Sequence, residues 1–304
     1  MKILLAVEEA AGLETFKLVE KSHHDIVGVL TSERSKTRSA TVMSVARQAG
    51  YEVLPASLVK DPAFAEKVKS TNVDVILNVH SLHIINDEVL RAAKLGGFNL
   101  HPGPLPYYAG INSPSWAIFN GETQHGVTLH WMEAGIDTGP IAFQSLFELQ
   151  PTDTGLSVSI RCVQLGLELV EKLLRTEFAD IPKLEQDFSK RKYYGFDVPY
   201  EGKFAPNVEA EALERFVRAS DYYPFPSPWG TPKARLNGHH LGICGVSPTN
   251  QKANGSTGIV KVRDGKVLLA TATDWLELLK VTVDGKLLNA ADVLSDGQIL
   301  ASPG

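Results

Sequence analysis

The 304-residue sequence predicts an α/β fold, in which a mostly parallel sheet with helices on both faces is followed by a small β domain. Short apolar runs alternate with helical patterns through the first half, as in sheets whose strands are buried on both faces. Beyond residue 205, alternating segments are separated by glycine turns, and Asp264-Gly265 and Asp284-Gly285 are strong hairpin signals. We therefore predict one domain over residues 1–204 and a β-rich domain over residues 205–304.

The first domain is predicted to alternate strands with helices. The predicted strands are Lys2–Val7, Asp25–Leu30, Glu52–Leu54, Val73–Val79, Gly97–Leu100, Gly126–Trp131 and Pro140–Glu148. The predicted helices are Leu13–Lys21, Thr41–Gln48, Pro62–Ser70, Asp87–Lys94, Pro114–Asn120 and Thr154–Phe178. The last helix has apolar residues at spacings of three and four, and Thr154 suits its N-cap.

A connector without periodicity, Phe188–Pro206, leads into the second domain. A helix is predicted there at Val208–Ser220. The predicted strands are Lys233–Asn237, His240–Val246, Gly258–Arg263, Lys266–Thr271 and Leu276–Val283. This pattern is typical of a small antiparallel β domain.

Composition excludes several classes of protein. The net charge of −5 gives no global positive field that would attract nucleic acid. The only cysteines, Cys162 and Cys244, exclude a disulfide framework and a thiolate zinc site, and no other spacing suggests a metal site. No stretch approaches the roughly 20 apolar residues of a membrane span, and the N-terminal run lacks the features of a signal peptide. We predict a cytoplasmic protein.

Polar side chains stand where the fifth predicted strand ends. Asn99 and His101 alternate by two, so both project to the same side of the chain as it leaves the sheet. Ligands of parallel sheets bind beyond the carboxyl ends of the strands. The following Pro102–Pro106 segment is stiff, which keeps such side chains in place for transition-state stabilisation.

A third candidate lies in the loop between the last two strands of the first domain. Gly135 and Gly139 bracket Asp137, so this loop can fold over the site. The Asp137 carboxylate is expected to accept the imidazole N–H of His101 and leave the other ring nitrogen for proton transfer. His125 and His130, on or beside a strand near these residues, are interpreted as packing residues.

Residues 98–141 read FNLHPGPLPYYAGINSPSWAIFNGETQHGVTLHWMEAGIDTGPI. This segment resembles the signature of the 10-formyltetrahydrofolate-dependent formyltransferase family. That signature is Asn-x-His-Pro-x-x-Leu-Pro-x-x-x-Gly, then Trp-Ala-Ile-x-x-Gly-Glu, Gly-Val-Thr and Asp-Thr-Gly. The resemblance covers residues 1 to about 178 and extends more weakly to the small C-terminal barrel of methionyl-tRNA formyltransferase and its relatives. It implies a Rossmann-like first domain and a β-barrel-like, OB-type second domain.

The resemblance implies an enzyme that uses 10-formyltetrahydrofolate as co-substrate and needs no metal. Asn99 would donate to the formyl carbonyl oxygen, His101 would take or relay the proton of the amine, and Asp137 would orient His101. The folate would contact two loops, at Asn78, Val79, His80, Leu82, Ile84, Ile85, Asp137, Thr138 and Gly139. Tyr107, Tyr108 and Asn112 stand where the tRNA enzymes usually have an arginine and small residues. We therefore predict an acceptor pocket at Pro102, Gly103, Tyr107, Tyr108, Asn112 and Trp131.

The charge pattern favours a small acceptor. The loop Thr31–Thr41 is shorter than the basic insertion of the tRNA enzymes, with Arg34, Lys36 and Arg38 as its cations. From Lys203 onward, basic and acidic residues nearly balance, which is weak for a surface that binds phosphates. We predict formyl transfer to a primary amine of a small-molecule or carrier-bound acceptor, such as an amino sugar or amino acid.

Methionyl-tRNA formyltransferase is the alternative, so tRNA is a disfavoured partner. A formyltetrahydrofolate hydrolase and a non-catalytic folate-binding module are further alternatives. No membrane partner is expected. The Gly- and Pro-containing end, Leu300–Gly304, is also compatible with a module of a larger protein.

Overall fold

The computed structural model describes residues 1–32, 40–81 and 83–303. Leu82 and the loop cations Arg34, Lys36 and Arg38 lie outside the described residues. The chain forms two compact units. Unit 1 contains Met1–Gly110, His125–Phe147 and Ile160–Tyr193, and unit 2 contains Ile111–Gln124, Glu148–Ser159 and the chain from Tyr194 onward. A domain boundary at residue 205 stays a prediction.

The elements up to residue 175 follow the predicted alternation. They are β1 (Lys2–Val7), α1 (Glu9–Glu20), β2 (Asp25–Thr31), α2 (Val42–Gln48), β3 (Val53–Pro55), α3 (Phe64–Ser70), β4 (Val75–Val79), α4 (Asp87–Ala92), β5 (Gly97–His101), β6 (Ala109–Gly110), α5 (Ser113–Phe119), β7 (Gln124–Trp131), β8 (Ile141–Glu148) and α6 (Gly155–Arg175). Thr154 accepts from the Ser157 N–H at 3.2 Å, as its predicted capping role requires.

The later elements are mostly strands. They are β9 (Tyr193–Tyr194), α7 (Ala210–Ala219), β10 (Lys233–Leu236), β11 (His239–Lys252), β12 (Val260–Arg263), β13 (Lys266–Ala270), β14 (Asp274–Val283), β15 (Lys286–Asn289) and β16 (Leu300–Ala301).

The first sheet has the strand order β3-β2-β1-β4-β5-β7-β8. The pairings from β3 to β5 are parallel, and β7 joins β5 antiparallel. Leu4 and Ala6 share a core with Phe64 of α3 and Val89 of α4. On the opposite face, Val7 lies so close to α1 that a Cβ at Gly12 would be 2.9 Å from its carbonyl carbon. The predicted mostly parallel sheet with helices on both faces is confirmed.

The second sheet is antiparallel, with the order β12-β13-β14-β11-β10-β16. Asp264-Gly265 joins β12 to β13 and Asp284-Gly285 joins β14 to β15, and all four residues have the positive φ that tight hairpin turns need. The outer strands meet through Leu300 N–H to Gly258 O and Val260 N–H to Gln298 O, both at 2.8 Å. The sheet therefore curls into a barrel-like domain around buried residues such as Leu213, Ile243 and Leu276.

No described helix is both long and apolar enough to cross a membrane. No group of three or more His, Cys, Asp or Glu side chains in this part of the chain is arranged to hold a metal ion.

Candidate active site

A row of polar side chains crosses three strands of the first sheet. Asn78 on β4 is the register partner of Asn99 on β5, and Asn99 is the partner of His130 on β7. Side chains of register partners lie close together on one face of a sheet. The Asn78 amide donates to Asn99 Oδ1 at 2.7 Å, and Asn99 Nδ2 donates to His130 Nε2 at 3.1 Å. The Asn99 amide therefore has a fixed orientation, with its N–H groups directed away from Asn78.

His130 was interpreted from sequence as a packing residue, and this interpretation is incomplete. Its Nδ1 lies 2.7 Å from the Trp131 carbonyl, which can only accept, so Nδ1 carries a hydrogen. In the neutral ring, Nε2 then accepts from Asn99. His130 thus supports the amide of Asn99 as well as filling space in the sheet.

Asp137 contacts all the other polar groups of this site. It lies in the β7–β8 loop with a left-handed backbone (φ 53°) and is 8% exposed. Its Oδ2 accepts from the Gly110 N–H at 2.8 Å and lies 3.4 Å from His101 Nδ1. Its Oδ1 accepts from Asn99 Nδ2 at 3.3 Å and lies 3.4 Å from His130 Nε2. The three predicted catalytic residues, Asn99, His101 and Asp137, therefore meet at one place.

The hydrogen on His101 sits on the ring nitrogen opposite to the expected one. Nε2 lies 2.5 Å from the Tyr108 carbonyl and must carry a hydrogen to bond it. In the neutral ring, Nδ1, which faces Asp137, is then the nitrogen that accepts a proton. This differs from the expected arrangement, in which His101 donates an N–H to Asp137, because the loop conformation that presents the Tyr108 carbonyl is not visible in the sequence.

Burial and neighbouring charges set the protonation states of this pair. Burial lowers the pKa of His101 below its usual value, against the raising effects of Asp137 and the Tyr108 carbonyl. Burial alone would raise the pKa of Asp137, but His101, His130 and the Gly110 N–H together lower it below its usual range. Burial therefore favours the neutral form of the His101 imidazole, and the bond from the Gly110 N–H favours the ionised form of the Asp137 carboxyl.

Side chains that sequence reasoning missed hold the Asp137 loop in place. Gln186 is 8% exposed, and its amide donates to the carbonyls of Asp137 at 2.9 Å and Gly139 at 2.6 Å. Arg191 donates to the Ile136 carbonyl at 2.8 Å. Gly139 is needed because a Cβ there would lie 1.9 Å from the Trp131 carbonyl oxygen. Arg191 lies in the aperiodic connector and Gln186 lies two residues before it, and no sequence signal marks either residue.

A second buried histidine supports the loop that follows His101. His125 is fully buried and donates from Nε2 to the Pro102 carbonyl at 3.0 Å, while its ring meets the Tyr108 ring edge to face. Thr128 donates to the Gly103 carbonyl at 2.7 Å. Burial lowers the pKa of His125 to about 4, so the ring is neutral near pH 7.

His125 is expected to make the protein less stable in acid. The unfolded chain protonates this ring near pH 6.5 and the folded chain near pH 4, so the unfolded state binds more protons between these values. The free energy of unfolding should therefore fall by about 3 kcal/mol from this residue alone as the pH falls from 7 to 4. Urea unfolding of the wild type and His125→Gln at both pH values measures the difference. If the free energy of unfolding fell by the same amount between pH 7 and pH 4 in wild type, His125→Gln and the exposed control His239→Gln, the assignment would be contradicted.

The residues predicted to contact folate differ in what they offer a ligand. Asn78 Oδ1 is buried and has no hydrogen-bond partner within the described part of the chain, so it fits an N–H donor of a ligand. His80 Nδ1 lies 3.5 Å from Glu9 Oε2, and Ile84 is 65% exposed. Val79 is fully buried, and Ile85 is partly buried and packs against the core. Contact of these two residues with folate stays a prediction. A folate pocket at this edge remains compatible with Asn78, His80, Ile84 and the Asp137–Gly139 loop.

The residues predicted to contact the acceptor differ in their exposure and in their bonding within the protein. Tyr107 is exposed, whereas Tyr108 and Trp131 are buried, and the Trp131 indole donates to the Pro182 carbonyl at 2.8 Å. Pro102 and Gly103 have their carbonyls bonded to His125 and Thr128 as described above. Asn112 lies in unit 2, where it precedes α5 with a left-handed backbone. Contact of these residues with an acceptor stays a prediction.

Comparison with solved structures shows a shared fold. An N-formyltransferase from Helicobacter canadensis, solved with folinic acid and dTDP-3-aminofucose, is 16% identical over 91% of this chain and 98% of its own, with a TM-score of 0.69. A sugar N-formyltransferase from a Shewanella species is 21% identical over 80% of this chain and 96% of its own, with a TM-score of 0.64. HypX from Aquifex aeolicus, solved with tetrahydrofolic acid, is 18% identical over 97% of this chain and 47% of its own, with a TM-score of 0.59.

Comparison with family models covers most of the chain. The formyl transferase model matches residues 10–173, and the model of the formyl transferase C-terminal domain matches residues 201–297. The family and the formyl-transferring enzyme class predicted from sequence are confirmed. Since these matches span well over half of the sequence, the chain belongs to the formyl transferase family.

Proposed function

We propose that this enzyme transfers the formyl group of 10-formyltetrahydrofolate to the primary amine of an amino sugar. The observation that carries the proposal is that the Asp137 carboxylate lies within 3.4 Å of both the Asn99 amide and the His101 imidazole. This set provides a hydrogen-bond donor for the formyl carbonyl oxygen. It also provides a neutral base whose protonated form is stabilised by a fixed negative charge. An acyl transfer to an amine requires both.

Asn99 acts on the carbonyl oxygen. The bound folate supplies a formyl carbon that the amine attacks while the bond to its former nitrogen breaks. The Asn99 N–H groups, oriented by Asn78, donate to the carbonyl oxygen as it gains negative charge. These N–H groups contact His130 and Asp137 at 3.1 and 3.3 Å, distances long enough for a substrate carbonyl oxygen to compete.

His101 and Asp137 act on the proton of the amine. The attacking nitrogen becomes positively charged and must lose a proton, which His101 Nδ1 accepts. The resulting imidazolium donates from Nε2 to Tyr108 and lies with Nδ1 beside the Asp137 carboxylate. This ion pair forms only as the reaction proceeds, so Asp137 stabilises the transition state more than the ground state. The folate nitrogen that leaves receives a proton in turn, which the protonated His101 supplies.

An amino sugar is the acceptor that the comparisons favour. One similar structure is an N-formyltransferase solved with dTDP-3-aminofucose, and another is a sugar 3N-formyl transferase solved with dTDP. The net charge of −5 gives no support to a tRNA acceptor. A carrier-tethered amine, an amino acid and tRNA are the alternatives, and the acceptor assay below distinguishes them.

We further propose a biosynthetic role in the cytoplasm. The free cysteines Cys162 and Cys244 are compatible with a reducing compartment. We also propose that residues 1–204 contain the catalytic machinery and that residues 205–304 form an OB-type accessory domain, which is supported by the curled second sheet.

The assay is incubation of the purified chain with 10-formyltetrahydrofolate and a panel of amines, read by mass spectrometry. The panel contains dTDP-linked amino sugars, free amino sugars, amino acids and initiator methionyl-tRNA. Gain of one formyl group by an amino sugar, with stoichiometric release of tetrahydrofolate, is the expected result. Formylation of tRNA alone would replace the proposed acceptor. Release of tetrahydrofolate without any formylated amine would indicate a hydrolase, and no release would indicate a binding module.

His101 is expected to titrate below pH 6.5, because burial in the site disfavours the charged ring. The ring should be neutral at pH 7 with its hydrogen on Nε2, and the rate of formyl transfer should fall as the pH decreases through this lowered pKa. A ¹⁵N NMR titration of the ring nitrogens, with His101→Gln to assign the signal, measures both pKa and tautomer. A midpoint at or above pH 6.5, or a hydrogen on Nδ1 in the neutral ring, would contradict the proposed base.

A further inference from the structure

One buried acceptor beside Asn99 has no partner. Asn78 Oδ1 makes no hydrogen bond within residues 1–32, 40–81 and 83–303, although the Asn78 side chain is only 8% exposed. Burial of a polar atom without a partner costs free energy, so such atoms are rare in folded proteins and often mark a functional position. The proposed mechanism uses only the other end of this amide, the N–H group that donates to Asn99.

The bonds of the neighbouring residues fix which end of the Asn78 amide is free. An ionised carboxylate accepts hydrogen bonds and cannot donate them, so the end of Asn99 that lies 3.3 Å from Asp137 Oδ1 is its Nδ2 group. Asn99 Oδ1 therefore faces Asn78, where it accepts at 2.7 Å. Asn78 must direct its own Nδ2 group toward Asn99. The free atom of Asn78 is thus its carbonyl oxygen, which requires a donor.

A second polar atom at the end of the same strand also has no partner. Ser81 Oγ is buried, and no described residue forms a hydrogen bond with it. His80, which directly follows β4, has a left-handed backbone with φ 58°. Such conformations cost free energy in residues other than glycine, and they cluster at active sites and ligand sites. The end of β4 therefore has the features of a site that a polar ligand completes.

The position of Asn78 indicates which reactant supplies the donor. Asn78 bonds one end of the Asn99 amide, whereas Asp137, which lies beside His101, contacts the opposite end. The amine that loses its proton to His101 therefore lies on the side away from Asn78. The loop that follows β4 is one of the two loops predicted to contact folate. The donor to Asn78 Oδ1 then belongs to the folate.

The folate N–H group nearest to the transferred formyl group is at N5 of the reduced pterin ring. N5 is joined by two carbon atoms to N10, the nitrogen that carries the formyl group. Asn78 and Asn99 are register partners on neighbouring strands, which lie about 4.7–4.9 Å apart, so their side chains can bind two groups with this separation. Tetrahydrofolate has a hydrogen at N5, whereas 7,8-dihydrofolate and 5-methyltetrahydrofolate have none.

We propose that Asn78 is a specificity-determining residue, whose Oδ1 accepts the N5–H of the tetrahydropterin ring while Asn99 donates to the formyl oxygen. The inference rests on the proposed function and goes beyond it, because the enzyme then selects folates that are fully reduced and unsubstituted at N5. The side chains that enclose Oδ1 turn aside when the folate binds, a type of change that is common at binding surfaces.

The test compares the dissociation constants of tetrahydrofolate, 7,8-dihydrofolate and 5-methyltetrahydrofolate, measured by calorimetry without oxygen. None of these ligands carries a formyl oxygen, so the comparison does not depend on the Asn99 donor. Wild type should bind tetrahydrofolate about 10- to 100-fold more tightly than either other ligand, as expected when a buried acceptor gains a donor.

Two variants and a control assign this preference to Asn78. Asn78→Leu should lose the preference for tetrahydrofolate over 7,8-dihydrofolate, because it has no acceptor. Asn78→Asp should keep the preference, because it retains an oxygen acceptor at the same place. The exposed control Asn207→Leu should behave as the wild type does.

Several results would overturn the proposal. They are equal affinity of the wild type for tetrahydrofolate and 7,8-dihydrofolate, and an unchanged preference in Asn78→Leu. If Asn78→Leu raised only the KM for the amine, Oδ1 would bind the amine and the proposal would also fall. If the wild type transfers formyl groups but does not distinguish the two folates, the proposed function stands and this inference falls. If it binds none of the folates and transfers no formyl group, both fall.

Discussion

Replacement of Asp137 with Asn is expected to lower kcat by about 10³- to 10⁴-fold, the scale seen when the carboxylate partner of a catalytic histidine is neutralised. Asn has the same shape, so it can still accept the Gly110 N–H and occupy the same buried position. It removes the negative charge 3.4 Å from His101 Nδ1, and the imidazolium that forms during transfer loses its counter-ion. The KM for the folate should change little, since the interaction is made mainly in the transition state.

The matched control for this variant is Glu133→Gln. Glu133 is exposed and lies in the same loop, so its replacement removes an identical charge from a position without a contact to the site. Its kcat should stay within about threefold of the wild type, as for other exposed substitutions. An Asp137→Asn enzyme that retained more than a tenth of the wild-type kcat would show that the carboxylate has no direct part in proton transfer.

Replacement of Asn99 with Ala is expected to lower kcat by about 10²- to 10³-fold, which is the usual cost of removing one oxyanion donor. The truncation removes the amide that Asn78 orients and leaves His130 and Asp137 in place, since both have further partners. Single-turnover formyl transfer measures the loss at the chemical step. Acid–base titration of His101 should be little altered, which separates this variant from Asp137→Asn.

The control for Asn99 is the exposed Asn207→Ala. Both changes remove the same amide, but Asn207 has an exposed side chain far along the chain in unit 2. If Asn99→Ala lost less than threefold in the single-turnover rate, the carbonyl oxygen would have to be stabilised by another donor.

Much of the fold could be predicted because the strands of the first sheet are buried on both faces and therefore continuously apolar. β1 has the predicted bounds, Lys2–Val7, and β4 differs only by starting at Val75 instead of Val73. The Asp-Gly turns placed two hairpins of the second domain correctly, since few residue pairs adopt two consecutive positive φ angles without strain. The strand β11 is longer than predicted because its irregular register with β14, which extends to Lys252, leaves no simple alternation in the sequence.

The three central residues of the site could be predicted because their signals are local. Asn99 and His101 alternate at a strand end, and glycines bracket Asp137. The role of His130 could not be predicted, because it depends on the antiparallel register between β5 and β7. Gln186 gave no signal because it contacts a loop almost 50 residues earlier in the chain. The protonated nitrogen of His101 depends on one carbonyl, that of Tyr108, whose direction is set by the loop fold.

The measurement that tests the central claim most directly is a double-mutant cycle between His101 and Asp137, read as the single-turnover rate of formyl transfer. If the carboxylate acts only by stabilising the protonated His101, its charge has no effect once the imidazole is gone. The rate of His101→Gln/Asp137→Asn should then equal that of His101→Gln alone within about threefold, because residues that act as a unit are not additive. If the fold-decreases in rate of the two single variants multiplied in the double variant, the two side chains would act independently. This result would contradict the proposed mechanism.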